Sequence, residues 1–195
     1  MANQILQTFY HRMLPLYPPQ AEKFLKTAGA QNLNQIAFRY TFSVEAMVHI
    51  SHIIEDAVIA NRRSAALHVS FQEMSRLLPQ QARYQRVAEA ALGVWLYGIN
   101  DIPATALVSL PRTTLIDTAD TVLTQYWFVV AYGAGIGMTL LAEEVPSLTG
   151  ADRYYEGFYT FEPDIAYQMV RILHQSYPDQ VPPPLSPEQL LEKEK

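Results

Sequence analysis

The chain has 195 residues, 49% of them apolar and 17% charged, and its length fits one domain with short appendages. This apolar content is enough to close a hydrophobic core and excludes an intrinsically disordered chain. The net charge of −5 has the wrong sign for holding phosphate backbones, so nucleic acid is not expected as a partner.

The amino-terminal segment MANQILQTFYHRM lacks the basic start, the apolar stretch and the small-residue cleavage site of a secretory signal. The longest apolar stretch, residues 126–142, is interrupted by three glycines and is shorter than the ~20 continuous apolar residues that cross a bilayer. Cysteine is absent, which excludes disulfides, thiolate nucleophiles and thiolate-ligated metals. We therefore expect a cytoplasmic protein without a membrane span.

Apolar residues at helical spacing predict an N-terminal helical arm over residues 3–14, which Pro15 ends. A longer helix is predicted from the N-cap Ser43 to about Arg62. The later segments are predicted in chain order as a strand at 65–71, a helix at 80–91, strands at 92–99 and 113–117, a hairpin of 126–132 with 136–143, a strand at 155–161 and a helix at 163–174.

These elements predict an α+β fold, in which a small, mainly antiparallel β-sheet is covered by the helices at 43–62 and 163–174. We expect a single domain over residues 43–177, preceded by a helical extension over 1–42. A proline-rich tail follows over 178–195, in which Ser186-Pro187-Glu188-Gln189 predicts a short terminal helix.

Several short stretches follow one another in a characteristic order. They are Ser51-His52 with Glu55-Asp56 in ISHIIED, Phe71-Gln72 followed by Arg76, Arg83-Tyr84 with Val87-Ala88, Tyr97-Gly98 with Asp101, Trp127-Phe128-Val129-Val130 with Gly133, Glu143 in LLAEE, and YEGFYTFEPDI at 155–165. In this order and spacing the sequence resembles the DICT domain, a bacterial sensory domain named for diguanylate cyclases and two-component systems. The resemblance covers roughly residues 43–175.

The resemblance implies a signal-input module with an α+β fold, of a kind usually fused to cyclase, phosphodiesterase or kinase domains and linked to light responses. It does not specify a ligand. The chain departs from the family in carrying no output domain, so we expect its signal to pass through a partner protein. It also has Tyr126 where an acidic residue is expected before the tryptophan.

A basic segment lies inside the region of resemblance. Between Arg62 and Arg86 there are five arginines and one acidic residue, Glu73, a local charge of +4. Arginine forks suit carboxylate and phosphate groups, so an anionic ligand such as a nucleotide is one interpretation, and pairing with acidic residues of neighbouring elements is the commoner one. The residues predicted to bind a ligand or a partner are His52, Glu55, Asp56, Phe71, Arg76, Arg83, Tyr84, Trp127 and Glu143. On this prediction Arg83→Ala abolishes binding without loss of folding.

Two further sets of residues have alternative interpretations. Glu45, His49, His52 and Asp56 form one stripe of the predicted helix, which fits either a zinc or iron site or, as the more common case, a solvated face. No metal site is predicted. The aromatic residues of the predicted strands fit either a pocket for a flat apolar ligand or an ordinary core.

Glu143 and Glu144 are neighbours on a strand, so they are expected on opposite faces and not as a catalytic pair.

No catalytic motif is present, and we predict a non-catalytic sensory or adaptor protein of bacterial signal transduction. It would bind a small ligand or a partner protein through the sheet and the region of Arg76 and Arg83. The partner would be a signalling protein or a larger assembly, and homodimerisation through the N-terminal arm stays open. The sequence does not identify a cofactor. The alternative is a structural interaction protein that docks into a larger assembly through its terminal extensions.

Overall fold

The computed structural model describes residues 2–27, 35–106, 109–146 and 152–193. A seven-stranded sheet forms its centre. The strands are β1 Phe38–Ser43, β2 Ala65–Glu73, β3 Val94–Ile99, β4 Thr113–Asp117, β5 Tyr126–Gly133, β6 Ile136–Val145 and β7 Tyr154–Thr160. The helices described are α1 Ala2–Met13, α2 Lys23–Thr27, α3 Val44–Ala60, α4 Gln81–Ala90, α5 Pro163–Ser176 and α6 Pro187–Lys193.

The strand order across the sheet is β1-β7-β6-β5-β2-β3-β4. The pairs from β1 to β2 are antiparallel, while β2 with β3 and β3 with β4 are parallel. A parallel pair needs a crossover, and the segment between β2 and β3 supplies it as a 3-10 helix, Met74–Gln80, followed by α4. The predicted α+β fold with a mainly antiparallel sheet is therefore confirmed.

Helices cover both faces of the sheet. Helix α3 packs on one face through Met47, Ile50, Ile54 and Val58, and α4 adds Val87 and Ala88 to the same core. Helices α1 and α5 contribute to a second core on the opposite face. We call these the α3 face and the α5 face. Because side chains alternate along a strand, β3, β5, β6 and β7 supply apolar residues to both cores.

Helix α3 begins where the sequence predicts it. The Ser43 hydroxyl accepts a hydrogen bond from the backbone N–H of Ala46 at 3.4 Å and so caps the first turn. Glu22 holds this cap in turn, since its carboxylate accepts from the Ser43 N–H and from the Ser43 hydroxyl, both at 3.0 Å. The start of α3 is thereby tied to the segment that precedes the sheet.

The region predicted as a purely helical extension also contains strand β1. This strand pairs antiparallel with β7, and Phe38, Tyr40 and Phe42 are buried on the α3 face. The helix predicted over residues 3–14 is present as α1, and its Leu6, Phe9, Tyr10 and Met13 are buried in the second core. Helix α1 and strand β1 are thus built into the sheet and its cover.

The predicted hairpin of β5 and β6 is confirmed. Its turn runs through Gly133-Ala134-Gly135, and Gly135 has a φ of 71°, a conformation that glycine adopts without a clash. Gly137 follows on β6, where an added Cβ would lie 2.3 Å from the Cα of Pro163. This close approach brings the start of α5 against the sheet.

The proline-rich tail lies on the α5 face. The indole N–H of Trp95 donates to the carbonyl of Gln180 at 2.9 Å, and the hydroxyl of Tyr132 donates to the carbonyl of Leu185 at 2.6 Å. Val181 is fully buried between these two contacts. Within the described residues, no helix has both the length and the apolar character needed to cross a membrane.

Candidate functional site

A small cavity opens on the α3 face, at the carboxyl end of β2, between α3, α4 and the preceding 3-10 helix. Its volume is about 40 Å³, which is room for a few water molecules. The side chains around it combine an aromatic and aliphatic wall with charged and polar groups: Val48, Ser51, Glu55, Val69, Ser70, Phe71, Arg76, Gln80, Tyr84 and Trp127. The half-buried members of this set, among them Arg76 and Gln80, mark its opening.

Glu55 forms the charged floor of the cavity and is only 1% exposed. One carboxylate oxygen accepts a hydrogen bond from Arg83 Nε and the other accepts from the Tyr84 hydroxyl at 2.6 Å. Burial, followed by the charge of Glu55, raises the pKa of Tyr84 well above its ordinary value, so this hydroxyl stays a donor. The carboxylate is therefore compensated from both sides by α4.

Arg83 has further partners on α3. Its Nη2 donates to the backbone carbonyl of His52 at 2.9 Å and to the Asp56 carboxylate at 2.8 Å. Burial alone would lower the pKa of Arg83, but its hydrogen bonds and charge interactions with Glu55 and Asp56 outweigh burial and raise it. Arg83 thus joins α4 to α3, and the cation that lines the cavity is Arg76.

Gln72 occupies an unusual backbone position at the end of β2. Its φ is 62°, in the left-handed region that non-glycine residues rarely adopt, and the pairing of β2 with β3 shifts register between Ser70 and Gln72. In a regular strand Gln72 would point away from the face that Phe71 occupies. The bulge instead places both side chains on the α3 face.

The Gln72 side chain is the centre of a hydrogen-bond network that joins β2, β6 and β7. Its oxygen accepts from Arg76 Nη1, and from Arg153 Nη2 and the Tyr155 hydroxyl at 2.8 Å each. Its Nε2 donates to the Thr124 carbonyl at 3.0 Å and to the Glu144 carboxylate at 3.2 Å. Three donors therefore converge on one neutral oxygen.

Arg153 and Glu144 form the ionic part of this network. Arg153 Nε and Nη2 donate to the two carboxylate oxygens of Glu144, each at 2.7 Å. The hydrogen bond from Arg153 is the main reason that the pKa of Glu144 is lowered. This bidentate pair fixes the end of β6 to the start of β7 beside Gln72.

Trp127 completes the wall between the cavity and the network. Its indole N–H donates to the Ser51 hydroxyl at 3.1 Å, and Ser51 donates to the Met47 carbonyl at 2.8 Å. The Trp127 ring also meets the Tyr155 ring edge to face, with centroids 5.3 Å apart. Trp127 thus contacts both the cavity and the Tyr155 ring of the network.

The structure brings eight of the nine predicted site residues to this region of the α3 face. The cavity is lined by Glu55, Phe71, Arg76, Tyr84 and Trp127, while His52, Asp56 and Arg83 form the adjoining contacts of α3 with α4. Glu143 lies on the α5 face, where it accepts from the Tyr126 hydroxyl at 3.3 Å. Its neighbour Glu144 is the carboxylate that faces the candidate site.

The stripe of Glu45, His49, His52 and Asp56 lies on the outer side of α3. His52 is half-buried, with its Nε2 3.3 Å from Gln80 Oε1, while the other three are exposed. In the part of the chain that the structure describes, no group of three or more His, Asp and Glu is arranged to hold a metal ion. The stripe is thus a largely solvated helix face.

The sequence did not indicate Gln80, Arg153 or the central position of Gln72 in the network, and it favoured Glu143 over Glu144 as the carboxylate of the site. Gln72 was present only as part of the Phe71-Gln72 motif, and nothing in the local pattern indicates a left-handed conformation there. Arg153 meets Gln72 across 81 residues of sequence. Contacts of this range follow from the strand order, which a single sequence does not specify.

Comparison with solved structures shows a likeness of fold. The crystal structure of polyphosphate kinase from Porphyromonas gingivalis superimposes with a TM-score of 0.53 at 12% identity, over 86% of this chain and 30% of that protein. The chain thus spans less than a third of that kinase, and the likeness concerns the fold alone. No curated protein matches the sequence.

A family model matches residues 27–145, which is more than half of the chain. The match begins inside the region predicted as an N-terminal extension and ends before β7, so it starts and stops earlier than the resemblance read over residues 43–175. It contains the entire lining of the cavity together with Gln72 and Glu144. The chain therefore belongs to the DICT family, the sensory domain in diguanylate cyclases and two-component systems.

Proposed function

We propose that this chain is a non-catalytic sensory protein that binds a small ligand in the cavity between α3, α4 and the carboxyl end of β2. The sensory role of the DICT family supports a function in signal transduction. The observation that carries the site is the junction of the cavity with the Gln72 network through Arg76, which belongs to both. A ligand that contacts Arg76 is therefore connected through the Gln72 network to strands β2, β6 and β7.

The position of the cavity within the sheet supports this proposal. It lies at the carboxyl end of β2, which runs parallel to β3 and β4, and ligands of sheets with parallel strands commonly bind beyond the carboxyl ends of those strands. The left-handed conformation of Gln72 is a second feature, because backbone strain of this kind is concentrated at binding and switch sites.

The proposed output is a contact with a cytoplasmic signalling partner, since a sensory domain acts by shifting a pre-existing equilibrium that another protein reads. The alternative function, docking through the terminal extensions, has less support. The apolar residues of α1 are buried in the second core, and the tail is hydrogen-bonded to Trp95 and Tyr132. Both extensions thus bind to the domain itself.

Native mass spectrometry tests the ligand proposal on protein purified gently from its source cells. We expect a small-molecule adduct on the wild-type chain and its loss in Val48→Phe, which places an aromatic ring at the mouth of the cavity. The matched control is Leu92→Phe, an exposed position outside the lining, which keeps the adduct. A wild-type chain without an adduct, or an adduct that survives in Val48→Phe, contradicts the proposal.

A further inference from the structure

Charges at the cavity are compensated unequally. Glu55 accepts from Arg83 and Tyr84, which are anchored on α4 behind it. Arg76 is bound instead to the neutral oxygen of Gln72 and to Glu73, three residues earlier, whose side chain is 45% exposed. Exposed ion pairs of this kind contribute little, so Arg76 is the cation whose charge is least compensated at this site.

The unused hydrogen-bonding groups of the lining are donors. Among the described residues, neither Arg76 Nε nor Gln80 Nε2 has an acceptor, while Gln80 Oε1 is in contact with His52 Nε2. The hydroxyl of Ser51 donates to Met47 O, and that of Ser70 donates to Tyr126 O. A ligand that completes this lining must therefore bring hydrogen-bond acceptors.

The remaining walls restrict the rest of the ligand. Val48, Val69, Phe71 and Trp127 present aliphatic and aromatic surface, which favours an apolar body and disfavours a fully hydrated anion such as inorganic phosphate. A cavity of about 40 Å³ accommodates only a few non-hydrogen atoms. Size, donors and apolar walls together describe a short carbon chain that ends in a carboxylate.

We infer that the ligand class of this site is a short-chain monocarboxylate and that its carboxylate binds Arg76 in place of the Gln72 oxygen. This inference rests on the proposed ligand-binding function. An arginine prefers a carboxylate to a neutral amide because the hydrogen bonds are then charge-assisted on both sides. Release from Arg76 leaves Gln72 held by Arg153 and Tyr155, so the contact that ligand binding breaks is the one between the end of β2 and the 3-10 helix that follows it.

The test measures thermal unfolding of the full chain with sodium acetate and sodium propionate, against acetamide and propionamide, sodium phosphate and sodium chloride at equal ionic strength. The two carboxylates are expected to raise the Tm saturably, and the amides, phosphate and chloride are not. Arg76→Gln is expected to weaken the apparent affinity by about tenfold or more, since it removes a charged hydrogen bond. Arg86→Gln, on the exposed side of α4, is the matched control and keeps the response.

Equal shifts with carboxylates and amides, a response to phosphate alone, or a full response in Arg76→Gln overturns the inference. The two experiments distinguish a wrong ligand class from a wrong ligand-binding site. If no carboxylate binds but the adduct seen by native mass spectrometry is lost in Val48→Phe, the cavity is a ligand site for another class of molecule. If the adduct survives in Val48→Phe, both proposals are wrong.

Discussion

The guanidinium of Arg83 binds the buried carboxylate of Glu55 and so joins helix α4 to helix α3. The side chain of Glu55 is 2% exposed and that of Arg83 is 20% exposed, so the pair is largely removed from water. This arrangement changes the role expected of Arg83. Sequence reasoning made it a binding residue that could be removed without loss of folding, whereas its contacts indicate that α3 and α4 depend on it.

We therefore expect Arg83→Ala to lower the free energy of unfolding by about 3–5 kcal/mol, because it leaves the buried charge of Glu55 without its cation. Urea denaturation followed by circular dichroism measures the change. Arg86→Ala, on the exposed side of the same helix, should stay within about 0.5 kcal/mol of the wild type. An Arg83→Ala chain as stable as the control would show that the pair is not a structural contact.

Gln72 provides a test of the strained backbone at the end of β2. Both Gln72→Ala and Gln72→Gly remove the side-chain network, but only glycine adopts a φ of 62° without strain. We expect Gln72→Gly to be more stable than Gln72→Ala by about 1 kcal/mol, the reverse of the order in a regular strand. Urea denaturation of the two variants measures this difference. A more stable alanine variant would argue against the left-handed conformation.

The Glu144 carboxylate should make stability depend on pH in the acid range. Its pKa is lowered in the folded chain by the hydrogen bond from Arg153, so the contribution is complete above the ordinary value of 4.5 and is lost as the pH falls through the folded value. Glu144→Gln lacks this contribution. The stability difference between wild type and Glu144→Gln should thus be largest near neutral pH and shrink below pH 4.5; a constant difference would contradict the ion pair.

His68 gives a second, separate pH dependence on the α5 face. It is buried, its Nδ1 lies 3.0 Å from the Tyr97 hydroxyl, and its ring stacks on Trp95 at 4.6 Å. Burial lowers the pKa of His68 to about 3, so the unfolded chain takes up a proton below pH 6.5 that the folded chain does not.

Stability should therefore fall as the pH drops from 6.5 towards 3, by at most about 1.4 kcal/mol per pH unit from this group. His68→Gln removes the titrating group and keeps a polar partner for Tyr97. Chemical denaturation at a series of pH values should show a smaller slope in the variant over this range. An unchanged slope would mean that His68 is not buried in its neutral form.

The sequence was most informative where a local pattern determines the structure. Ser43 followed by apolar residues at helical spacing predicted α3 almost to its ends, and the glycines at 133 and 135 predicted the hairpin. Strand β1 was missed although Phe38, Tyr40 and Phe42 alternate, because six residues carry a weak signal unless their partner strand is known. Its partner, β7, lies more than 100 residues away.

The candidate site was also predictable only in part from the sequence. The resemblance to the family located Glu55, Arg76, Tyr84 and Trp127, which the fold brings to one face. Strand alternation required Glu143 and Glu144 to face opposite sides, but it did not tell which of them faces the cavity. That choice depends on the register of β6 with β5, where Glu143 lies opposite Tyr126. Which of the two carboxylates faces the cavity therefore depends on strand pairing and not on the local sequence.

The central claim, that the α3-face cavity is the sensory site, is tested most directly by fluorine NMR of the full chain labelled with 5-fluorotryptophan. The two tryptophans lie on opposite faces, Trp127 at the cavity and Trp95 beneath the tail, and Trp95→Phe assigns the two resonances. Removal of the co-purified small molecule should shift the Trp127 resonance and leave that of Trp95 in place. A shift of Trp95 alone, or of neither resonance, would contradict the account.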